Sequence, residues 1–306
     1  MNFGLLFLIM AIVALIFKSN VIGSLGLSTP GLRSDFFDAY GRVNTLHQEL
    51  ATRIASNKDI ENYRWLGNVP AMREFLNGRL AKGLRRENYS VENLKYELTL
   101  EVDRDEISDD QTGQIRLRVN ELGQVAASHK DYLIAQLLIN GATAGYTSYD
   151  GVTFFNDAHV SGASGNQDNA ITQAAADGTT PTTAEFKAAL VQAITQMMGF
   201  KDDQGNPLML SSSGLVALVP PALYFTAMEA INASVINQTT NVLAGVARVV
   251  AMPWLSAANV WYLLKTDGII RPFIFQDREP IEFGALAENS EESFKREKFL
   301  YGVRAR

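Results

Sequence analysis

The stretch from residue 109 to residue 140 constrains this chain more than any other. Ile115, Val119, Leu122, Ala126, His129, Leu133 and Leu137 recur at steps of three or four, which puts them on one stripe of an α-helix. Ser108, Asp109 and Asp110 offer capping oxygens and negative charge where a helix N-terminus favours both. Gly141 is placed to end the helix. At about 1.5 Å per residue such a helix is roughly 45 Å long, which exceeds most helices of globular proteins. Gly113 and Gly123 are the points at which it would break.

The rest of the chain mixes shorter elements. Residues 32–57 read as a helix, with Phe36, Phe37, Tyr40, Val43, Leu46, Leu50 and Ile54 at helical steps and Asp35 and Asp38 near its start. Residues 70–105 read as a hairpin-like excursion. Gly78 and Gly83 oppose a helix there, and Arg79, Lys82, Arg85, Arg86 and Glu87 form a charged tip. From Tyr96 to Asp103 the chain alternates, with Leu98, Leu100 and Val102 on one face, as a half-buried strand does. Residues 142–182 read as loops with short strands. Thr182 and Glu185 then form a capping box, before a helix that carries Phe186, Leu190, Ile194 and Met197 on one face. Residues 202–207 form a turn, and 215–219 a fully apolar strand. Pro220 and Pro221 suit the first turn of a helix through Ile231. Residues 242–250, 260–264, 272–283 and 298–306 are further strand candidates. Helices beside short strands without a βαβ rhythm define the fold class as α+β.

Chemical signatures are missing. There is no phosphate loop, no dinucleotide fingerprint and no nucleophile elbow. The chain has no cysteine, which removes disulfides, thiolate metal sites and thiol nucleophiles together. Its three histidines, His47, His129 and His159, show no metal-binding spacing, and His129 reads as a packing residue. The acidic group Asp103, Asp105, Glu106, Asp109 and Asp110 lacks the spacing of a calcium loop and reads as a charged helix start. Asp157 and His159 lie close in sequence, but near neighbours on a loop seldom share one site, and no partner serine or cysteine is indicated. Trp65, Trp254 and Trp261 read as core or interface anchors. No catalytic, cofactor-binding or metal-ligating residue is therefore expected, and no small-molecule substrate. A net charge of −6 argues against a dedicated DNA-binding module.

Three segments, taken in order, give a positive signal: residues 63–70 (YRWLGNVP), 102–110 (VDRDEISDD) and 149–159 (YDGVTFFNDAH). Together they resemble the major head subunit of Mu-like tailed bacteriophages and prophages, over roughly residues 32–306. That resemblance implies a Hong Kong 97-like capsid fold. It assigns 1–31 to an apolar extension and linker, 32–69 to an N-terminal arm and 70–107 to an extended loop. Residues 108–145 become a peripheral domain with a spine helix, 146–265 an axial domain, and 266–306 the return strands. The implied function is structural. Copies assemble into hexamers and pentamers of an icosahedral shell around double-stranded DNA, which they touch without sequence preference. Portal, scaffolding and decoration proteins are the implied partners, and the virion, after assembly in the host cytoplasm, is the implied location. The residues expected to touch neighbouring subunits are Phe36, Phe37, Tyr40, Trp65, Arg79, Lys82, Arg85, Arg86 and Tyr89.

Two departures from the family pattern accompany the resemblance. Residues 3–17 form an apolar run that the family lacks, short of the about 20 residues of a membrane span and with no basic residue before it. It reads as a signal or anchor, as an extension that packs on neighbours or is absent from the working protein, or as a buried helix. Family members also continue past residues 301–306, so a closing strand is expected to be short or missing. Two rival functions follow: an encapsulin-like compartment with the same fold, and a membrane-anchored enzyme or binding protein.

Overall fold

A computed structural model describes residues 29–66, 86–110, 113–173, 180–208, 211–236, 238–268, 270–287 and 290–306. The expected features at 1–28 and at 67–85, with Arg79, Lys82 and Arg85, lie outside the described residues. In chain order the first elements are α1 (Thr29–Arg42), α2 (His47–Leu50), β1 (Ala51–Ala55), β2 (Ile60–Leu66), β3 (Arg86–Glu92), β4 (Tyr96–Asp103), α3 (Arg104–Asp109) and α4 (Gln114–Asn140). There follow α5 (Thr183–Gly199), β5 (Leu215–Val219), a 3-10 turn at Pro221–Leu223, α6 (Tyr224–Asn232), β6 (Val235–Ile236), β7 (Thr239–Thr240) and β8 (Arg248–Ala251). The last are β9 (Tyr262–Lys265), β10 (Phe273–Asp277), β11 (Glu282–Leu286), α7 (Glu291–Arg296) and β12 (Lys298–Ala305).

These elements form two units. The first takes the described parts of Met1–Thr45, Leu94–Lys130 and Glu279–Arg306. Its antiparallel sheet has the order β11-β12-β4. Alternation decides which way each side chain faces. Leu100 of β4, Tyr301 of β12 and Ala285 of β11 share one row and pack in one core with Phe36 of α1 and Val119 of α4. On the outer face Glu97, Thr99 and Glu101 are exposed. The closing strand is neither short nor missing: β12 is the central strand and pairs with Tyr96–Asp103 along its whole length.

The second unit takes Leu46–Asn93 and Asp131–Arg278. Its sheet has the order β8-β5-β9, with β5 parallel to β8 and antiparallel to β9. All five residues of β5 are buried. Val216 and Leu218 belong to a core with Leu138 of α4, Met252 and Phe273. Leu215, Ala217 and Val219 belong to another, with α5 and α6. The capping box forms as expected: the Thr182 hydroxyl accepts from the Glu185 amide, and Glu185 accepts from Thr182.

Several expected boundaries are corrected. The helix expected over 32–57 stops at Arg42, and residues 51–55 are instead a strand parallel to β10. The interruption has a cause. Asp131, buried on α4, accepts the amides of Leu46 at 2.9 Å and His47 at 2.7 Å and turns the chain there. The long helix starts at Gln114 rather than Asp109, because Gly113 has φ +73° and separates it from α3. Asp110 caps it, accepting the amides of Gln114 and Ile115. Gly123 does not break the helix. A Cβ there would lie 2.6 Å from the Phe36 carbonyl oxygen, so glycine lets α1 approach closely. The hairpin pairs Ile60–Leu66 with Arg86–Glu92, and Tyr96–Asp103 belongs to the first unit's sheet rather than to that excursion. The strand expected over 242–250 is confined to Arg248–Ala251, and that over 272–283 is two strands.

Candidate assembly surfaces

Assembly requires side chains not already used by their own chain, so each expected contact residue is placed by what it touches. Phe36 on α1 is fully buried. Its ring lies 5.2 Å from Phe283, 6.1 Å from Tyr40 and 5.1 Å, edge-on, from Phe37. It is a core residue of its own chain, which corrects its expected place in a contact. Phe37 and Tyr40 are only half-buried against that core. Each carries a cation over its ring, Arg33 at 5.8 Å and Lys130 at 6.0 Å. These two present an aromatic and basic surface.

The β2–β3 hairpin is fixed at its root. Glu61 accepts from the Ser56 hydroxyl and the amides of Asn57 and Lys58. These bonds, that of Asn57 foremost, hold its carboxyl below the usual range. The buried Asn93 side chain donates to the Ser56 hydroxyl and the Lys58 carbonyl, each at 2.7 Å. Tyr63 and Tyr89 face each other across the hairpin. The Tyr63 hydroxyl donates to Gln276 at 2.7 Å, and that of Tyr89 to the Thr147 carbonyl at 3.0 Å. Trp65 stands opposite Glu87, and Leu66 opposite Arg86, in the same ladder. The hairpin is thus anchored where it leaves the second unit's body.

Sequence reasoning missed three exposed apolar residues: Phe225, Val242 and Phe294, at 81%, 88% and 90% exposure. Phe294 carried a signal, because it stands alone among Glu291, Glu292, Lys295 and Arg296 on a short helix. An aromatic ring with no apolar neighbour at helical spacing has no core of its own to join.

The groups that invited chemistry hold structure instead. His159 does not engage Asp157. Its Nδ1 lies 2.6 Å from Asp150 Oδ2 and its Nε2 3.1 Å from the Phe154 carbonyl. That pair fastens the 149–159 loop, whose Phe154 and Phe155 pack on the second unit's core. Asp103 and Glu106 form a capping box on α3. His129 lies edge-on to the Tyr96 ring at 4.7 Å, and burial holds its pKa below the usual histidine value. Among the described residues no cluster suited to a metal ion occurs.

Comparison with known proteins gives this arrangement its class. The chain is similar to the capsid protein of bacteriophage JBD30, with a TM-score of 0.56 and 21% identity over 75% of this chain and 100% of that one. The JBD30 procapsid subunit gives a TM-score of 0.52, covering 94% of this chain and 70% of that one. A virus-like particle from Pyrococcus furiosus gives 0.52 at 9% identity, covering 90% of each. The fold is the Hong Kong 97-like capsid fold. The chain belongs to the Mu-like prophage major head subunit gpT family, whose model matches residues 26–186, 170–255 and 256–306. It is 24% identical over 279 residues to the Mu-like prophage FluMu major head subunit of Haemophilus influenzae, and 31% identical over 127 residues to the major capsid protein of Escherichia phage Mu. It covers 66% of the first relative's length and 41% of the second's. The family is one of structural proteins, not enzymes.

Proposed function

We propose that this chain is a major capsid subunit whose copies tile into an icosahedral shell around phage double-stranded DNA. The supporting observation is a head-subunit family match across residues 26–306 of a chain with a capsid fold. The first unit serves as peripheral domain, with the N-terminal part of α4 in its spine. The sheet β8-β5-β9 with α5 and α6 serves as axial domain. Residues 32–42 belong to the arm, and β2, β3 and the residues between them to the extended loop.

The mechanism is multivalence. Each inter-subunit contact is modest, but every subunit makes several at once, so a closed shell outlasts any pair. Phe37, Tyr40 and Tyr89, with Trp65, Arg79, Lys82, Arg85 and Arg86 of the loop, supply contacts that a compact body lacks. DNA is met by local cations through its backbone, without sequence readout. Portal, scaffolding and decoration proteins complete a particle built in the host cytoplasm.

The test is sedimentation and electron microscopy of the purified chain, co-expressed with its scaffolding partner where one is needed. Shells are expected. A protein recovered in membranes, or as soluble monomers under every such condition, overturns the reading. Among the described residues no helix is long and apolar enough to cross a membrane. Replacing residues 67–85 with a short glycine–serine turn leaves the paired strands intact, and is expected to spare subunit folding while abolishing shells.

A further inference from the structure

The outer face of the first unit's sheet holds a furrow. In the register, Thr99 of β4, Gly302 of β12 and Gly284 of β11 form one row across the three strands. Alternation puts that row on the face opposite the buried Leu100–Tyr301–Ala285 row. Two adjacent glycines leave its floor without side chains. A Cβ on Gly284 would meet no atom within 4 Å, and the nearest atom to one on Gly302 is Thr99 Oγ1 at 3.3 Å. Gly284 is therefore not there to make room for its own chain. A glycine within a strand costs about 0.5–1 kcal/mol relative to alanine, and it often marks a place where another group comes close.

The two rows beside this floor differ in character. On one side stand Glu101, Leu300 and Leu286, with Lys298 paired to Glu101. Leu300 is half-buried and Leu286 is 51% exposed, so this wall is largely apolar. On the other side stand Glu97, Arg304 and Glu282, all exposed. Arg304 lies between the two glutamates in the register and pairs with Glu279 at 2.8 Å. Three carboxylates thus flank one guanidinium, and this wall is acidic.

A furrow with one apolar and one acidic wall fits aromatic rings that carry cations. The same unit presents that chemistry elsewhere. Arg33, Phe37 and Tyr40 follow one line of α1 at steps of four and three. Arg33 lies 5.8 Å from the Phe37 ring and Lys130 6.0 Å from the Tyr40 ring. Asp35 is paired with Arg116 at 2.5 Å, and Asp38 lies about 100° round the helix from Phe37, so the strip itself is basic. Helix α1 packs on the inner face of the sheet, through Phe36 against Phe283 and Tyr301. Strip and furrow therefore lie on opposite sides of the sheet, and one copy cannot bring its own two surfaces together. Opposite charge and matching apolar surface point to a second copy. Two different patches meeting in this way make a head-to-tail contact, which closes into a ring where the rotation allows.

We infer that the Arg33–Phe37–Tyr40–Lys130 strip of one copy docks in the Gly284–Gly302 furrow of a second copy, a contact that rests on the tiling proposed above. The test uses assembled particles of the full chain. The chain has no cysteine, so an introduced thiol is the only one a reagent finds. Arg33→Cys and Glu282→Cys, both at exposed positions, are co-expressed, and the particles are treated with a short bifunctional thiol cross-linker. A dimer-sized band on a denaturing gel is expected from the mixture and not from either variant alone. In a second experiment Arg33→Glu and Glu282→Arg each lower the yield of shells about tenfold or more, because like charges then meet. The two together restore it, which separates a lost contact from a folding defect. Parent shells without that band, a band of equal strength from one variant alone, or a combined variant no better than the single ones overturns the contact and leaves tiling standing. So does a Glu282→Cys thiol that particles shield from labelling but that gives no band, which marks another occupant. A parent chain that forms no shells overturns both.

Discussion

Strand β5 and strand β4 show two ways of holding a sheet. Leu215–Val219 is buried at every position and separates two cores. Tyr96–Asp103 alternates, with Leu98, Leu100 and Val102 toward one core and Glu97, Thr99 and Glu101 toward solvent. In the second unit the central strand therefore has no position to spare, and its sequence is a continuous apolar run. In the first unit alternate positions of β4 are open to change, because Glu97, Thr99 and Glu101 are exposed.

Leu218→Ala should produce the largest effect, about 2–5 kcal/mol, because the site is sealed on all sides. Leu100→Ala, at a half-buried position, should cost clearly less. Urea unfolding of unassembled subunits checks both, and equal losses would break the contrast. Gly123→Ala comes next, at about 1–3 kcal/mol, since its Cβ would meet the Phe36 carbonyl and the helix backbone has little room to yield. Gly284→Ala, on the open sheet face with no atom within 4 Å, should be neutral or slightly stabilising in the same assay.

A smaller effect is expected from pH. Burial lowers the His129 pKa in the folded first unit below its ordinary 6.5. The unfolded chain then binds the proton more readily, so this contribution is fully present above about pH 6.5 and is lost as the pH falls from there. His129→Gln should flatten the acid side of the first unit's stability profile, read by amide hydrogen exchange. A profile identical to the parent's would exclude the histidine as its source. Thr99→Ser, on the outer face, should change stability by no more than about 0.5 kcal/mol.

Local signals are legible in the sequence, and distant pairings are not. Alternation located β4, and the Thr182–Glu185 box located α5, because each pattern is complete within a few residues. Leu46, Leu50 and Ile54 fit helical steps, which predicts helix over residues 51–55. Their strand pairing is with Phe273–Asp277, some two hundred residues on, where no local pattern points. The Asp150 partner of His159 was hidden for a related reason: nine residues of loop must curl before the two meet. The head-subunit resemblance rested on three short segments, and the wider family match bears it out. Of the expected contact residues, Phe36 was misplaced because helical spacing marks an apolar face without saying whether its own chain or a neighbour covers it.

The pairing of β1 with β10 and of β4 with β12 also governs timing. Residue 51 waits for residue 273, and residue 97 for residue 304. A chain still emerging from the ribosome therefore carries unclosed sheets in both units until residues 273 and 304 have left it, and contacts of such span form slowly. Neither sheet is whole before those late residues arrive, so any surface that rests on a finished sheet is a property of a nearly whole unit and not of a half-made one.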